Sequence, residues 1–277
     1  MTAPLTNLAH FEPNREPRLY FPVEQKYRFT PGLRPLGDEP VFQADCEQRQ
    51  YLAAKGVPRC HQEDTSSGNG HVLDVVDRYI REHAHQDLGF GRFPQTSRRN
   101  YYGSLQEDLV IMRTDRAILV RVDIPSGWKP ELILGQDFQR IHAEVPGFAK
   151  TERTNQSYWE TISKRGPWEW FVWMPSSVPT LDLHPDRCAA KPTWAEAEHL
   201  YLRVERQVTI PFPTLDACLF TIRVYSYPAW RLNHTQLRTM QEAIASAGPT
   251  VAEYKGWDKN GGDMLRLIDN ELARRAR

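Results

Sequence analysis

Two runs near the C-terminal third, LYLRVERQVTI and ACLFTIRVYSYP, joined by PFPTLD, constrain the fold of this chain more than any other feature. Successive side chains of a strand point to opposite faces, so the first run sorts into Leu200, Leu202 and Val204 against Tyr201, Arg203 and Glu205. The second sorts into Cys218, Phe220, Ile222 and Val224 against Leu219, Thr221, Arg223 and Tyr225. A six-residue connection between two alternating runs predicts an antiparallel hairpin. Its charged residues admit two readings. Arg203, Glu205 and Arg223 form a solvated face with cross-strand charge pairs, which alternation alone favours, or they form a buried polar network.

Other segments supply partners for that hairpin. AILVRVDIP (117–125) reads as a mostly buried strand ended by Pro125, and WEWFVWMP (168–175) as an unusually aromatic one. HVLDVVDRYIREHAH carries Val72, Val75, Val76, Tyr79 and Ile80 at helical spacing. Further helices are expected at 42–55, 235–246 and 261–275, a mobile linker at 59–70 and a loop at 90–103. LGQDFQRIHAEVPGF (134–148) reads as a short helix stopped by Pro146-Gly147, with His142 on the side of Leu134, Phe138 and Ile141. Together these predict one α+β domain, a mainly antiparallel sheet with helices against one face and a pocket between the layers.

Composition excludes several classes. At 277 residues, 35 basic and 35 acidic side chains balance, which argues against nucleic-acid binding. Apolar runs fall short of the roughly 20 residues that span a bilayer. The N-terminus lacks a signal-peptide layout, so a cytoplasmic protein is expected. Cys46, Cys60, Cys188 and Cys218 are scattered without a C-x-x-C pair, which disfavours a zinc knuckle or an iron–sulfur cluster. No nucleophile elbow, dinucleotide fingerprint, phosphate loop or zincin motif occurs. Gly89 and Gly91 read as a turn, His83 and His85 diverge on a helix, and His184 and His199 read as surface residues.

His142 stands apart from these histidines. An imidazole on an apolar helix face is either a core histidine bonded to a backbone carbonyl or a ligand to something beneath the helix, and a haem iron suits that setting. Periodicity leaves both readings open. Arg153 and Asn155, shortly after that helix, are either a polar wall of the pocket or a turn.

The order of several segments resolves this further. GLRPLGDEPVFQAD (32–45), SLQEDLVIM (104–112), IPSGWKPELILGQDFQRIHAEVPG (124–147), RTN (153–155), YLRVERQVTIPFPTLDACLFTIRVYSYPAWRL (201–232) and EYKG (253–256) resemble, in register, the haem-dependent oxidative N-demethylase family. The resemblance implies a PAS-like haem domain over 26–256, with an N-terminal arm at 1–25 and a helical tail at 257–277. It implies a non-covalent haem b whose iron is bound by His142, with Arg153, Asn155 and Trp159 about the cofactor. It also implies amine oxidation with O2, by N-demethylation or N-oxygenation, with electrons from a separate flavin or iron–sulfur reductase. Glu205 and Tyr225 would face the amine, with Tyr158 and Trp159 on the following loop. Arg223 or Arg153 would hold a haem propionate, or Arg223 would orient Glu205. The other reading is a haem gas or redox sensor without turnover. The family's tryptophan after the R-x-N element is displaced here to Trp159.

Overall fold

In a computed structural model, residues 16–27, 32–55, 60–66, 68–89, 96–146, 152–188 and 191–275 are described, with the side chains of residues 48 and 152–155 left aside. Among these residues the strands form one seven-stranded antiparallel sheet in the order β1-β5-β6-β7-β3-β4-β2. The strands are β1 (Arg34–Pro35), β2 (His61–Glu63), β3 (Asp108–Arg113), β4 (Arg116–Arg121), β5 (Trp168–Ser176), β6 (Tyr201–Phe212) and β7 (Ala217–Pro228). The helices are α1 (Gln48–Lys55), α2 (Asn69–Leu88), α3 (Arg98–Tyr102), α4 (Phe138–Ile141), α5 (Glu152–Lys164), α6 (His234–Ala245), α7 (Pro249–Lys255) and α8 (Trp257–Arg275).

The expected hairpin is the centre of the molecule. β6 and β7 pair along their whole length, from Tyr201 opposite Pro228 to Phe212 opposite Ala217. Pro213–Leu215 makes a 3-10 turn between them, closed by Asp216 in the left-handed region. β3 and β4 turn through Thr114 and Asp115, both at positive φ, whose twist suits a tight hairpin.

Helices cover both faces, not one as expected. On the face of Val208, Ile210 and Leu219, α2 buries the stripe Val72, Leu73, Val76, Ile80 and Ala84. Gly89, in the left-handed conformation, ends α2 by donating its N–H to the His85 carbonyl. Along the same face Leu202, Val204 and Tyr227 pack with Leu237 and Met240 of α6 and with Trp257, Met264 and Ile268 of α8. Tyr20 and Val23 join that cluster, so residues 16–27 lie against the sheet and α8 belongs to the core. The opposite face carries Val110, Met112, Val120, Trp170, Cys218 and Phe220 beneath Phe138, Trp159 and Ile162 of α4 and α5.

Several sequence expectations change: the loop at 90–103 contains α3, and the helix expected over 42–55 begins only at Gln48. The 59–70 linker contains β2, whose polar residues pair with Leu119–Arg121 of β4 at the sheet edge. Arg153 and Asn155 lie not in a turn but in α5, which turns Trp159 and Ile162 inward. The helix over 134–148 contracts to Phe138–Ile141. Its upstream part is pinned to β4 instead: Gly135, at φ 75, donates to the Ala117 carbonyl at 2.8 Å, and Ala117 donates to Gln136 at 3.0 Å. Asp137 then caps the helix by accepting the Arg140 N–H at 2.7 Å.

Candidate functional site

Cross-strand partners share a face, and that rule places the hairpin's polar side chains. Glu205 is opposite Val172 on β5 and Val224 on β7, while Gln207 is opposite Trp170 and Ile222. These residues lie on the face covered by α4 and α5. Val172, Glu205, Gln207 and Ile222 are only half-buried there, although β6 and β7 are central strands. On the opposite face Val204, Arg206 and Val208 are buried. The sheet therefore carries a contiguous open patch at its middle, on the α4 face alone. The Gln207 amide donates to Glu205 Oε2 at 2.9 Å and fixes the carboxylate within that patch.

His142 follows α4 as its C-cap, half-buried, with its ring 4.4 Å from that of Phe138. Nδ1 lies 2.8 Å from the Phe138 carbonyl. A carbonyl only accepts, so Nδ1 carries the proton and Nε2 carries the ring's lone pair. Burial lowers the His142 pKa, against the Phe138 carbonyl, which raises it. The imidazole is thus held neutral. This donor set fits a haem iron, which takes the lone pair of a neutral imidazole whose other nitrogen is oriented by a carbonyl. The surrounding aromatic side chains also suit a flat apolar group: Phe138 stacks on Tyr158 at 5.3 Å and lies 6.2 Å from Phe220, with Trp159 6.5 Å away.

The end of α7 feels acidic groups from two distant segments. Burial raises the Tyr254 pKa, and Glu144 and Glu205 raise it further. Lys255 is pushed down to about 8 by burial, with Glu205 opposing that shift. Lys255 Nζ donates to the Trp173 carbonyl at 3.4 Å, one residue beyond Glu205's partner Val172. Tyr254 and Lys255, at the end of α7, therefore lie within the field of Glu205. Sequence reading singled out the segment of Tyr254 and Lys255 but gave neither residue a role. Nothing local in the sequence links positions 205 and 255.

The remaining expected site residues distribute differently. Arg223 and Tyr225 point to the other face, away from Glu205, because 223 and 225 alternate with its partner Val224. Arg223 is fully buried, donating to Asp45 at 2.8 Å and to the Gln43 carbonyl at 2.7 Å, with its guanidinium 4.2 Å from the Tyr51 ring. Burial works to deprotonate it, but Tyr51, Tyr225, Glu107 and Asp45 outweigh that and raise its pKa. Tyr225 donates to Gln43 Oε1 at 2.5 Å. Arg223 therefore neither orients Glu205 nor lies on the pocket face. Arg203 shares the face of Glu205 but spends its donors on Ser126 Oγ and the carbonyls of Thr180 and Leu181. The hairpin's arginines are buried, so the solvated face does not hold, but Arg203 and Arg223 lie on opposite faces with separate partners and form no common network with Glu205. Trp159 is buried beside Phe138, whereas the side chains of Arg153 and Asn155 lie outside the described residues.

Elsewhere, His184 is 2 % exposed rather than on the surface. It lies with Glu131 and Asp186 in a cluster of metal-ligating types. Its Nδ1 accepts the Asp186 backbone N–H at 3.1 Å, so its proton sits on Nε2, which donates to Glu131 at 2.9 Å. Lys129 takes the Asp186 carboxylate at 2.7 Å. The cluster is a hydrogen-bonded tie between loops. Among the described residues no helix is long and apolar enough to cross a membrane.

Residues 94–265 match the family model described as haem-dependent oxidative N-demethylase, alpha subunit-like. No curated protein matches the chain.

Proposed function

This chain belongs to the haem-dependent oxidative N-demethylase, alpha-subunit-like family, and from that premise we propose that it oxidises an amine with O2 by N-demethylation. The proposed domain is PAS-like, and His142 is its iron ligand. One observation carries the reading: a tautomer-fixed, neutral imidazole on the face where the central strands are left half-open. Haem b, when bound, supplies the O2 chemistry that side chains lack.

The chain's own residues then have defined tasks. The Phe138 carbonyl keeps the His142 proton on Nδ1, so Nε2 would be the nitrogen that holds the iron. Tyr158, Trp159 and Phe220 wall the site with apolar surface and exclude water. Glu205, held by Gln207, binds the substrate ammonium through a charge-assisted hydrogen bond. Overall, an N-methylamine, O2, two electrons and two protons give the demethylated amine, formaldehyde and water. A separate flavin or iron–sulfur reductase is assigned as the source of the electrons.

The test supplies the haem-loaded protein with reductant, air and a panel of N-methylated amines. Formaldehyde released in proportion to amine consumed is expected. Reversible gas binding without formaldehyde from any of the amines would instead favour a sensor and overturn the reading.

A further inference from the structure

We infer that Val172 and Ile222 set the size of the amine, admitting methyl groups on its nitrogen and turning away ethyl or larger ones. The inference rests on the reading of Glu205 as the amine-binding carboxylate. It adds the side chains that read what the nitrogen carries.

The register of the sheet defines what surrounds that carboxylate. Glu205 and Gln207 have four cross-strand neighbours on their face, Val172 and Trp170 on β5 and Val224 and Ile222 on β7. Trp170 and Val224 are buried, whereas Val172 and Ile222 are only half-buried. Anything seated on Glu205 therefore has Val172 on one flank of β6 and Ile222 on the other. The Trp170 ring stands edge-on to that of Phe220 at 6.4 Å, across β6, and closes the patch beyond Gln207.

With Oε2 taken by the Gln207 amide, Oε1 receives the ammonium and fixes where its nitrogen lies. The two open flanks are aliphatic, so the groups on that nitrogen meet carbon there and not a hydrogen-bond partner. Both flanks are β-branched and stiff at χ1, so they do not swing aside as Leu or Met would. Two strand spacings across and two residues along put their Cβ atoms roughly 12 Å apart. Each branched side chain, with its van der Waals contact distance, takes up about 5 Å of that span. The remainder suits two methyls on one nitrogen and falls short of two ethyls. Apolar burial pulls the other way: two extra methylenes would by themselves favour diethylammonium on the order of tenfold. A preference for the smaller ion is therefore a steric signature of the flanks.

Calorimetric titration of the full-length protein with dimethylammonium and diethylammonium chloride reads this directly, with or without turnover. Dimethylammonium should bind at least about tenfold more tightly, the low end of what one methylene contributes to discrimination in a tight pocket. Val172→Ala and Ile222→Ala should each narrow that ratio at least about threefold, chiefly by tightening diethylammonium binding. Val172→Thr, which keeps the branched shape, should keep the ratio and controls for folding. Equal or tighter binding of diethylammonium to the wild type, or no binding of either ion, would overturn the inference. So would a ratio left unchanged by either alanine variant, or lost in Val172→Thr. If Glu205→Gln weakens both ions while the alanine variants change nothing, the inference fails and Glu205 keeps its role. If Glu205→Gln leaves dimethylammonium binding unchanged, the reading of Glu205 fails and takes the inference with it. Failure to take up haem would sink N-demethylation, while the titration still reports on the two flanks.

Discussion

Replacing Arg223 with Met isolates the buried network on the far face of the sheet. The guanidinium is fully buried and holds Asp45 at 2.8 Å, the Gln43 carbonyl at 2.7 Å and, more distantly, Glu107 at 3.9 Å. Methionine fills much of the space but strands two buried carboxylates. Breaking a buried pair from one side costs about 3–5 kcal/mol, far more than the same change on a surface. At about 2–4 °C per kcal/mol, the midpoint of thermal unfolding should fall by roughly 6–20 °C. The pH dependence follows from Glu107. Burial already raises its folded pKa against the pull of Arg223, and removing that pull raises it more. Between the unfolded and folded values the folded state binds more protons, so stability falls as pH rises across that window. The defect should be largest at neutral pH and shrink as pH falls towards the unfolded carboxylate value. Urea unfolding across the pH range measures both quantities. A loss below about 1 kcal/mol, or a defect that grows on acidification, would refute the reasoning.

Three further perturbations probe the buried Lys255 amine and the pocket face. Lys255 titrates near 8 in the folded state and near ~10.4 when unfolded, so the unfolded state binds more protons between them and wild-type stability should rise with pH across that interval. Lys255→Met should lack the rise, and a flat wild-type curve in urea unfolding would contradict the burial of this amine. Phe138→Ala removes a nearly buried ring from between His142 and Tyr158 and should cost about 3–5 kcal/mol by the same assay. Glu205→Gln should raise the amine KM about 10–100-fold, since a hydrogen bond to a charged group contributes about 1.5–3 kcal/mol. Its haem content should not change, and an unaltered KM would remove Glu205 from substrate binding.

What the sequence made legible follows the range of the forces involved. The β6–β7 hairpin and α2 were readable because alternation and helical spacing are local and their apolar residues all face a core. α4 was placed correctly around Phe138 and His142 but drawn too long, because residues 135–137 pair with β4, a partner periodicity does not register. β2 was hidden because a three-residue polar edge strand exists only through β4. α5 was missed for a different reason: TERTNQSYWETI is mostly polar, and only Tyr158, Trp159 and Ile162 mark its inner side. At the site, His142 stood out as an imidazole on an apolar helix face. Arg223 and Tyr225 were grouped with Glu205 by chemistry, because alternation sorts each strand separately and only the pairing of Glu205 with Val224 puts them on the other face. Lys255 was the hardest to foresee, since its place depends on where α7 ends relative to β5.

The central claim is that His142, oriented by the Phe138 carbonyl, binds a haem iron at the half-open face of the sheet. The most direct measurement is the absorption spectrum of wild-type and His142→Ala protein purified after expression with added haem precursor. The account predicts a Soret band in the wild type that is lost in His142→Ala while unfolding by urea stays cooperative. A colourless wild type that takes up no added haemin, or a His142→Ala protein with an unchanged Soret band, would contradict it.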